Sequence, residues 1–261
     1  MNIVVCLKQV PGTIDVRIDP ETNTLIRAGI EAVANPFDTY ALEEGVRLKE
    51  RLGGKVTAIS MGPPQAENML REAISTGADE AVLLSDGAFA GADTLSTSYT
   101  LAQAIKKLGQ FDFIICGRQT LDGDTGQVAP ELAEVLKLPF VAYVSKIEEI
   151  NEKMIRVQRL VEEGHEIIEA PLPAVITVVK EINVPRLPSL RRLSKAKNAT
   201  IPTWTYEDLG INKDKTGMAG SATKVVKVFV PPRAGKGELL TGETEDQVDS
   251  LITRLRGQNI V

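Results

Sequence analysis

The chain is short of the residues that most enzymes use for acid–base or metal chemistry. Its 261 residues include one histidine, His165, and two cysteines, Cys6 and Cys116. A histidine-based triad or a multi-histidine metal site is therefore excluded away from His165, and no metal site is expected. His165 stands among Glu162, Glu163 and Glu166 and reads as a solvated turn residue. Cys6 and Cys116 each lie in an apolar strand pattern, which predicts buried thiols in a reducing compartment, not a disulfide or a ligand pair. No run of about 18 apolar residues is present, so no membrane insertion is expected. Met1 leads straight into Ile3-Val4-Val5-Cys6 with no basic leader or cleavage-like site, and a cytoplasmic location is expected. Positive charge is not in excess either: the formal net charge is −5, which disfavours nucleic acid as a partner. GxGxxG is also missing. Leu7-Lys8-Gln9-Val10-Pro11-Gly12-Thr13 follows the first strand, where a Rossmann fingerprint or the Ser/Gly-rich loop of an adenylating amidase or synthetase would stand.

What is present is an alternation of strands and helices in a chain 43 % hydrophobic and 25 % charged, ordinary for a globular domain with a sizeable core. Strands are predicted at 2–7, 56–61, 81–84 and 113–116. The helices between them are predicted after a cap at Asp38 or Thr39, over 65–76, over about 95–108 with Asp93 or Thr94 as cap, and over 128–137. This order implies an α/β fold with a doubly wound, mostly parallel sheet covered on both faces. A small hairpin is predicted at 15–18 and 24–27. Loops 7–13, 61–64, 86–94 and 117–127 would meet at the C-terminal ends of the strands. From 141 to 180 the pattern changes to an antiparallel hairpin around Glu162–His165, followed by a buried strand at 174–179.

Residues 183–203 lose all periodicity. Leu187, Leu190 and Leu193 interleave there with Arg186, Arg191, Arg192, Lys195 and Lys197. Apolar anchors inside a charged rim suit a protein-binding loop, and a solvated basic linker is the alternative. Residues 211–242 read as an irregular arm with one short strand at Val225–Val230, and Glu245 to Arg256 as a final helix. The expected division is a nucleotide-binding domain over 1–205, including a partner loop at about 183–200, and a C-terminal arm and helix over 206–261 that, with little apolar surface to bury against its own domain, packs on a partner.

The richest stretch is 113–128, Phe-Ile-Ile-Cys-Gly-Arg-Gln-Thr-Leu-Asp-Gly-Asp-Thr-Gly-Gln-Val. A strand breaks at Gly117, passes through a loop with Gly123 and Gly126, and enters a helix. Loop N–H groups and the helix start favour anionic oxygens there, as at the nucleotide crevice of an open α/β sheet. Gln119, Asp122, Asp124, Thr125 and Gln127 add polar groups. An ordinary turn-rich βα loop is the plainer reading.

Three stretches resemble the beta subunit of electron-transferring flavoproteins: Val4-Val5-Cys6-Leu7-Lys8-Gln9-Val10-Pro11 leading to Ala34-Asn35-Pro36-Phe37-Asp38, the loop from Gly117 to Gln127, and Val157-x-Arg159-x-x-Glu162-Glu163-Gly164-His165-Glu166-x-Ile168 with Pro173-x-Val175-Ile176-Thr177. The resemblance implies an adenine-nucleotide-hydrolase-like or flavodoxin-like fold and a heterodimer with an alpha subunit that holds a redox FAD. It further implies a nucleotide on this chain: FAD reduced by NADH in the electron-bifurcating branch, or structural AMP in ordinary carriers. Small residues from Gly123 to Gln127 resemble the bifurcating branch, which belongs to anaerobic metabolism. By the same resemblance Cys6, Asn35 and Asp38 lie near adenine and ribose, Gly117, Arg118 and Gln119 line the nucleotide, and Gly123, Asp124, Thr125, Gly126, Gln127 and Val128 wrap its pyrophosphate. Thr94 and Thr97 come from a neighbouring helix start. Thr13 and Phe37 would contact the alpha-subunit flavin, and Leu190, flanked by Leu187, Arg191, Arg192 and Leu193, would enter a flavin-dependent dehydrogenase of acyl-CoA or hydroxy-acid type. Ferredoxin or flavodoxin would be the low-potential acceptor. Asp122 is expected to accept from ribityl hydroxyls, flavin N–H or Arg118, because a bare carboxylate beside a pyrophosphate is unfavourable. No residue of this chain is expected to act as a catalytic acid or base, since a flavin carries the chemistry. A pure nucleotide-sensing module is the remaining alternative.

Overall fold

The structure, a computed structural model, describes residues 1–12, 17, 18, 25, 26, 32–226, 237 and 239–261. Thr13 lies outside them. Two compact units result, residues 1–226 and 227–261.

The first unit opens with β1 (Asn2–Cys6), β2 (Gln9–Pro11), β3 (Arg17–Ile18), β4 (Leu25–Ile26), β5 (Ala32–Ala34) and α1 (Pro36–Leu52). It continues through β6 (Lys55–Met61), α2 (Ala66–Thr76), β7 (Glu80–Leu84), α3 (Thr94–Leu108), β8 (Phe113–Gly117) and α4 (Val128–Leu136). Then come β9 (Phe140–Ile150), β10 (Met154–Val161), β11 (Gly164–Pro171), β12 (Ala174–Val178), α5 (Leu190–Asn198), β13 (Thr203–Trp204), α6 (Tyr206–Leu209) and α7 (Gly217–Gly220). The second unit carries α8 (Thr244–Gly257).

Among the described residues nine strands form one sheet in the order β11-β10-β9-β12-β8-β1-β6-β7-β13. From β9 to β13 the pairing is parallel, and β10 and β11 add an antiparallel edge. The central strands are buried on both faces, which is why they read as apolar runs and not as alternations. Ile3 and Val5 point to the side covered by α1 and α2, with Val46, Leu70 and Ile115. Val4 and Cys6 point to the side covered by α3 and α4, with Leu101, Ile105, Ile114 and Leu132. The chain therefore winds outward through β6 and β7 on one face, then returns across β1 to β8 on the other. The winding direction reverses between β1 and β8, and a crevice opens at their C-terminal ends.

The doubly wound sheet and the antiparallel addition match the sequence reading, as does the β3–β4 pairing through Arg17 and Ile26. Three details differ. α1 starts at Pro36, one turn before the expected cap at Asp38 or Thr39, because proline suits the first helical position, where the missing N–H is not needed. An eleven-residue β9, parallel to β12 and antiparallel to β10, joins the addition to the sheet and was not foreseen. The stretch 183–203 is not structureless: Ser189 accepts from the Arg192 N–H at 3.3 Å and starts α5. Its only buried residue is Ala196, so no apolar stripe advertised it. The expected strand at Val225–Val230 lies mostly outside the described residues. No helix among the described residues is long and apolar enough to cross a membrane.

Candidate functional site

At the switch point the ends of β1 and β8 place Cys6 beside Cys116 in register. Both are buried free thiols. A hydrogen bond with Cys6 pushes the Cys116 thiol well above its usual range, and burial adds to this. Cys116 is therefore not a reactive thiolate.

β8 then ends at Gly117, pressed against the start of α1. A Cβ there would stand 2.4 Å from Asp38 Oδ1 and 2.7 Å from the Phe37 carbonyl carbon, so only glycine fits. The backbone N–H of Lys8 donates to Asp38 Oδ2 at 2.7 Å. Burial pushes the Asp38 carboxyl from its ordinary 3.8 up to about 7, against the hydrogen bonds from Asn35, Lys8 and Gly117 that favour its ionised form.

Asn35 sits at the N-cap of α1 but does not cap it. Its amide is engaged across the crevice, donating to the Gln119 carbonyl at 2.8 Å and accepting from the Leu121 N–H at 3.2 Å. A fully buried asparagine thus fastens the loop after β8 to the loop before α1.

Farther out, the Arg118 guanidinium lies 5.0 Å from the Phe37 ring centroid. Its Nε is buried and without a partner among the described residues. Asp122 does not reach Arg118. Both its carboxylate oxygens accept from Lys8 Nζ at 2.7 Å. Burial opposes the Asp122 charge, but Lys8, together with hydrogen bonds from Thr120 and the Gly123 backbone, holds the carboxyl below its usual range. Gln119 donates to Asp124, whose own φ is 50°, and Gly126 has φ 62°. These two left-handed residues turn the loop into α4. The N–H groups of Thr125, Gly126 and Gln127 enter none of the backbone hydrogen bonds seen among the described residues. Successive unpaired N–H groups running into a helix start form a concavity for anionic oxygens, and the orphaned Arg118 Nε adds a cationic donor near by. The donor set fits a phosphate-bearing nucleotide.

Not every expected residue is open to a ligand. Thr94 Oγ1 donates to Glu131 at 3.0 Å, and Ser98 Oγ donates to the same carboxylate at 3.1 Å. Thr97 is half-buried on the first turn of α3, where among the described residues only its backbone is engaged, donating to the Asp93 carbonyl at 3.0 Å. Glu131 and Ser98, like Lys8, were missed in the sequence; an acid in the first turn of a helix reads as ordinary dipole compensation. Leu187, Leu190, Arg191, Arg192 and Leu193 lie away from this loop, on the segment beside α1 and α2. Among the described residues no three His, Cys, Asp or Glu side chains converge as a metal site would need.

The architecture is that of a doubly wound α/β protein whose crevice carries an anion-ready βα loop. Residues 22–209 match the family model described as electron transfer flavoprotein domain. The chain is 50 % identical over 262 residues, covering all of both chains, to the electron transfer flavoprotein subunit beta of Thermoanaerobacterium thermosaccharolyticum. It is 46 % identical over 261 residues to the subunit beta of Clostridium acetobutylicum, again covering both chains completely. It is equally similar, 46 % over 263 residues and the whole of both chains, to the caffeyl-CoA reductase-Etf complex subunit CarD of Acetobacterium woodii. The chain belongs to the electron transfer flavoprotein family, as a beta subunit.

Proposed function

We propose that this beta subunit binds FAD in the crevice between β1 and β8, takes electrons from NADH, and splits them between two routes. One leads to the FAD of an alpha subunit and a flavin-dependent dehydrogenase, the other to ferredoxin or flavodoxin. The observation that carries the reading is the loop from Gly123 to Gln127, where small residues and unengaged N–H groups leave room for a dinucleotide pyrophosphate. Bound FAD would supply hydride acceptance and one-electron transfer. The chain's own residues hold and orient. Thr125, Gly126 and Gln127 offer N–H donors, Arg118 offers Nε, and Asn35 sets the height of the loop through Gln119 and Leu121. Cys6 and Asp38 floor the crevice near the adenosine. Lys8 withdraws the Asp122 charge from the pyrophosphate path. Phe37, stacked on Arg118, faces the alpha-subunit flavin.

A relative named for a caffeyl-CoA reductase complex favours a dehydrogenase partner that handles CoA thioesters. The partner contacts would be Leu187, Leu190 and Leu193 with Arg191 and Arg192, while the C-terminal arm and α8 pack on the alpha subunit. Structural AMP in an ordinary electron carrier is the competing reading. The deciding measurement is the nucleotide released from the purified heterodimer. Two FAD and no AMP per heterodimer is the expected result, followed by rapid anaerobic flavin bleaching with NADH. One FAD and one AMP would replace this proposal with the ordinary carrier.

A further inference from the structure

The segment that presents Leu187 and Leu190 has no hydrophobic reason to hold its shape. None of residues 184–195 is buried. Val184, Leu187 and Leu190 are 79, 88 and 87 % exposed. Such a segment would normally be mobile, and ordering it on association would weaken binding.

Two arginines replace the missing core. At the N-terminal end, Arg186 grips α1. Its backbone N–H and Nε donate to Glu43 Oε2 at 3.2 and 2.8 Å, and Nη2 donates to Glu43 Oε1 at 3.1 Å. Nη1 and Nη2 donate to the two oxygens of Glu50 at 2.6 and 2.9 Å. The Glu43 side chain is only 4 % exposed, so this fork is far better shielded than a surface pair. Just upstream, the Asn183 amide donates to the Tyr40 carbonyl and to Glu44, both at 3.0 Å. At the C-terminal end, Arg71 of α2 donates through Nη1 to the carbonyls of Ala196, Lys197 and Ala199 at 2.8, 3.3 and 3.0 Å. Glu67 orients that guanidinium. α5 lacks a glycine at its C-cap, and the Arg71 cation serves its terminal carbonyls instead.

We infer that Arg186 is a positioning residue which, with Arg71 at the far end, clamps residues 187–195 into a preformed docking edge for the dehydrogenase. The inference rests on the proposed role of Leu190 as a partner contact. Preorganisation of this kind acts on association and leaves the electron-transfer step alone.

The test uses the intact heterodimer and an acyl-CoA dehydrogenase that reduces the wild type. Amide exchange of 187–193 and steady-state kinetics are compared for the wild type, Arg186→Gln, Arg186→Lys and Leu190→Ala. Arg186→Gln should speed exchange in 187–193 by about tenfold or more and raise KM for the heterodimer about as much, with kcat, nucleotide content and exchange in β1 and β8 unchanged. Arg186→Lys, which keeps the charge but not the fork, should restore only part of the protection. Unchanged exchange in Arg186→Gln, or faster exchange with KM unmoved while Leu190→Ala raises it, overturns the clamp and spares the docking loop. A Leu190→Ala variant with wild-type KM overturns the docking role itself, and the inference with it. Should Arg186→Gln not fold, Glu50→Gln removes only the outer partner, and the same shifts are expected at smaller size.

Discussion

Asp38 is a carboxyl group made for two tasks that conflict. Its oxygens receive backbone N–H groups from Lys8 and Gly117, which suits an anion, yet it is buried, which suits an acid. Burial wins, and the folded-state pKa rises to about 7. A raised folded pKa means stability that is fully present below the unfolded value near 4 and is lost as pH climbs through about 7. Between those limits the loss is at most about 1.4 kcal/mol per pH unit. Asp38→Asn should flatten that slope. Urea unfolding of both proteins from pH 4.5 to 8 checks this, and parallel pH profiles would show that Asp38 titrates as it does in the unfolded chain. The family resemblance set Asp38 and Asn35 near one nucleotide, but nothing in the sequence showed that the carboxyl is buried. Its burial comes from Gly117 bringing β8 against α1, a contact between residues far apart in the chain. Lys8 escaped notice for the same reason: its partner Asp122 lies across the crevice, on another loop.

The helices divide by whether their signals are local. α3 was legible because Asp93, followed by a run of good helix formers, is a local capping signal; its carboxylate accepts from the Ser96 N–H at 3.0 Å. The same carboxylate does more than the sequence revealed. Its second oxygen takes the Thr223 N–H at 2.9 Å and hydroxyl at 3.1 Å, and the Asp93 N–H donates to Ser221 at 2.8 Å. Asp93→Ala should therefore cost about 1–2 kcal/mol through the lost cap and, in addition, release residues 221–223 from α3. Thermal unfolding would register the first effect and limited proteolysis near 221–226 the second. A variant that melts lower but is cleaved no faster would limit Asp93 to capping. α5 shows the opposite case. Beyond the packing of Ala196, its ends are held by Ser189 and Arg71, neither of which leaves a periodic trace.

At the scale of the whole chain, strand–helix alternation was enough to reveal a doubly wound sheet, and a period of two was enough to reveal the antiparallel edge. The sequence reading also set the C-terminal arm against a partner, and α8, the helix of the second unit, carries that expectation. It buries none of its residues, yet Val248, Leu251, Ile252 and Leu255 recur at the spacing of one helical face. An apolar face of this kind on a helix with no core of its own calls for another surface, and the proposed one is the alpha subunit. Val248→Glu together with Ile252→Glu would set two carboxylates into that interface. Each desolvated charge should cost about 1–3 kcal/mol of association, for a joint loss of about thirtyfold or more in heterodimer affinity. Residues 1–226 form a separate compact unit, so their unfolding midpoint should stay where it was. Dilution of the heterodimer followed by gel filtration measures the affinity. A double variant that stays associated at wild-type dilution would assign the face of α8 to some contact other than the alpha subunit.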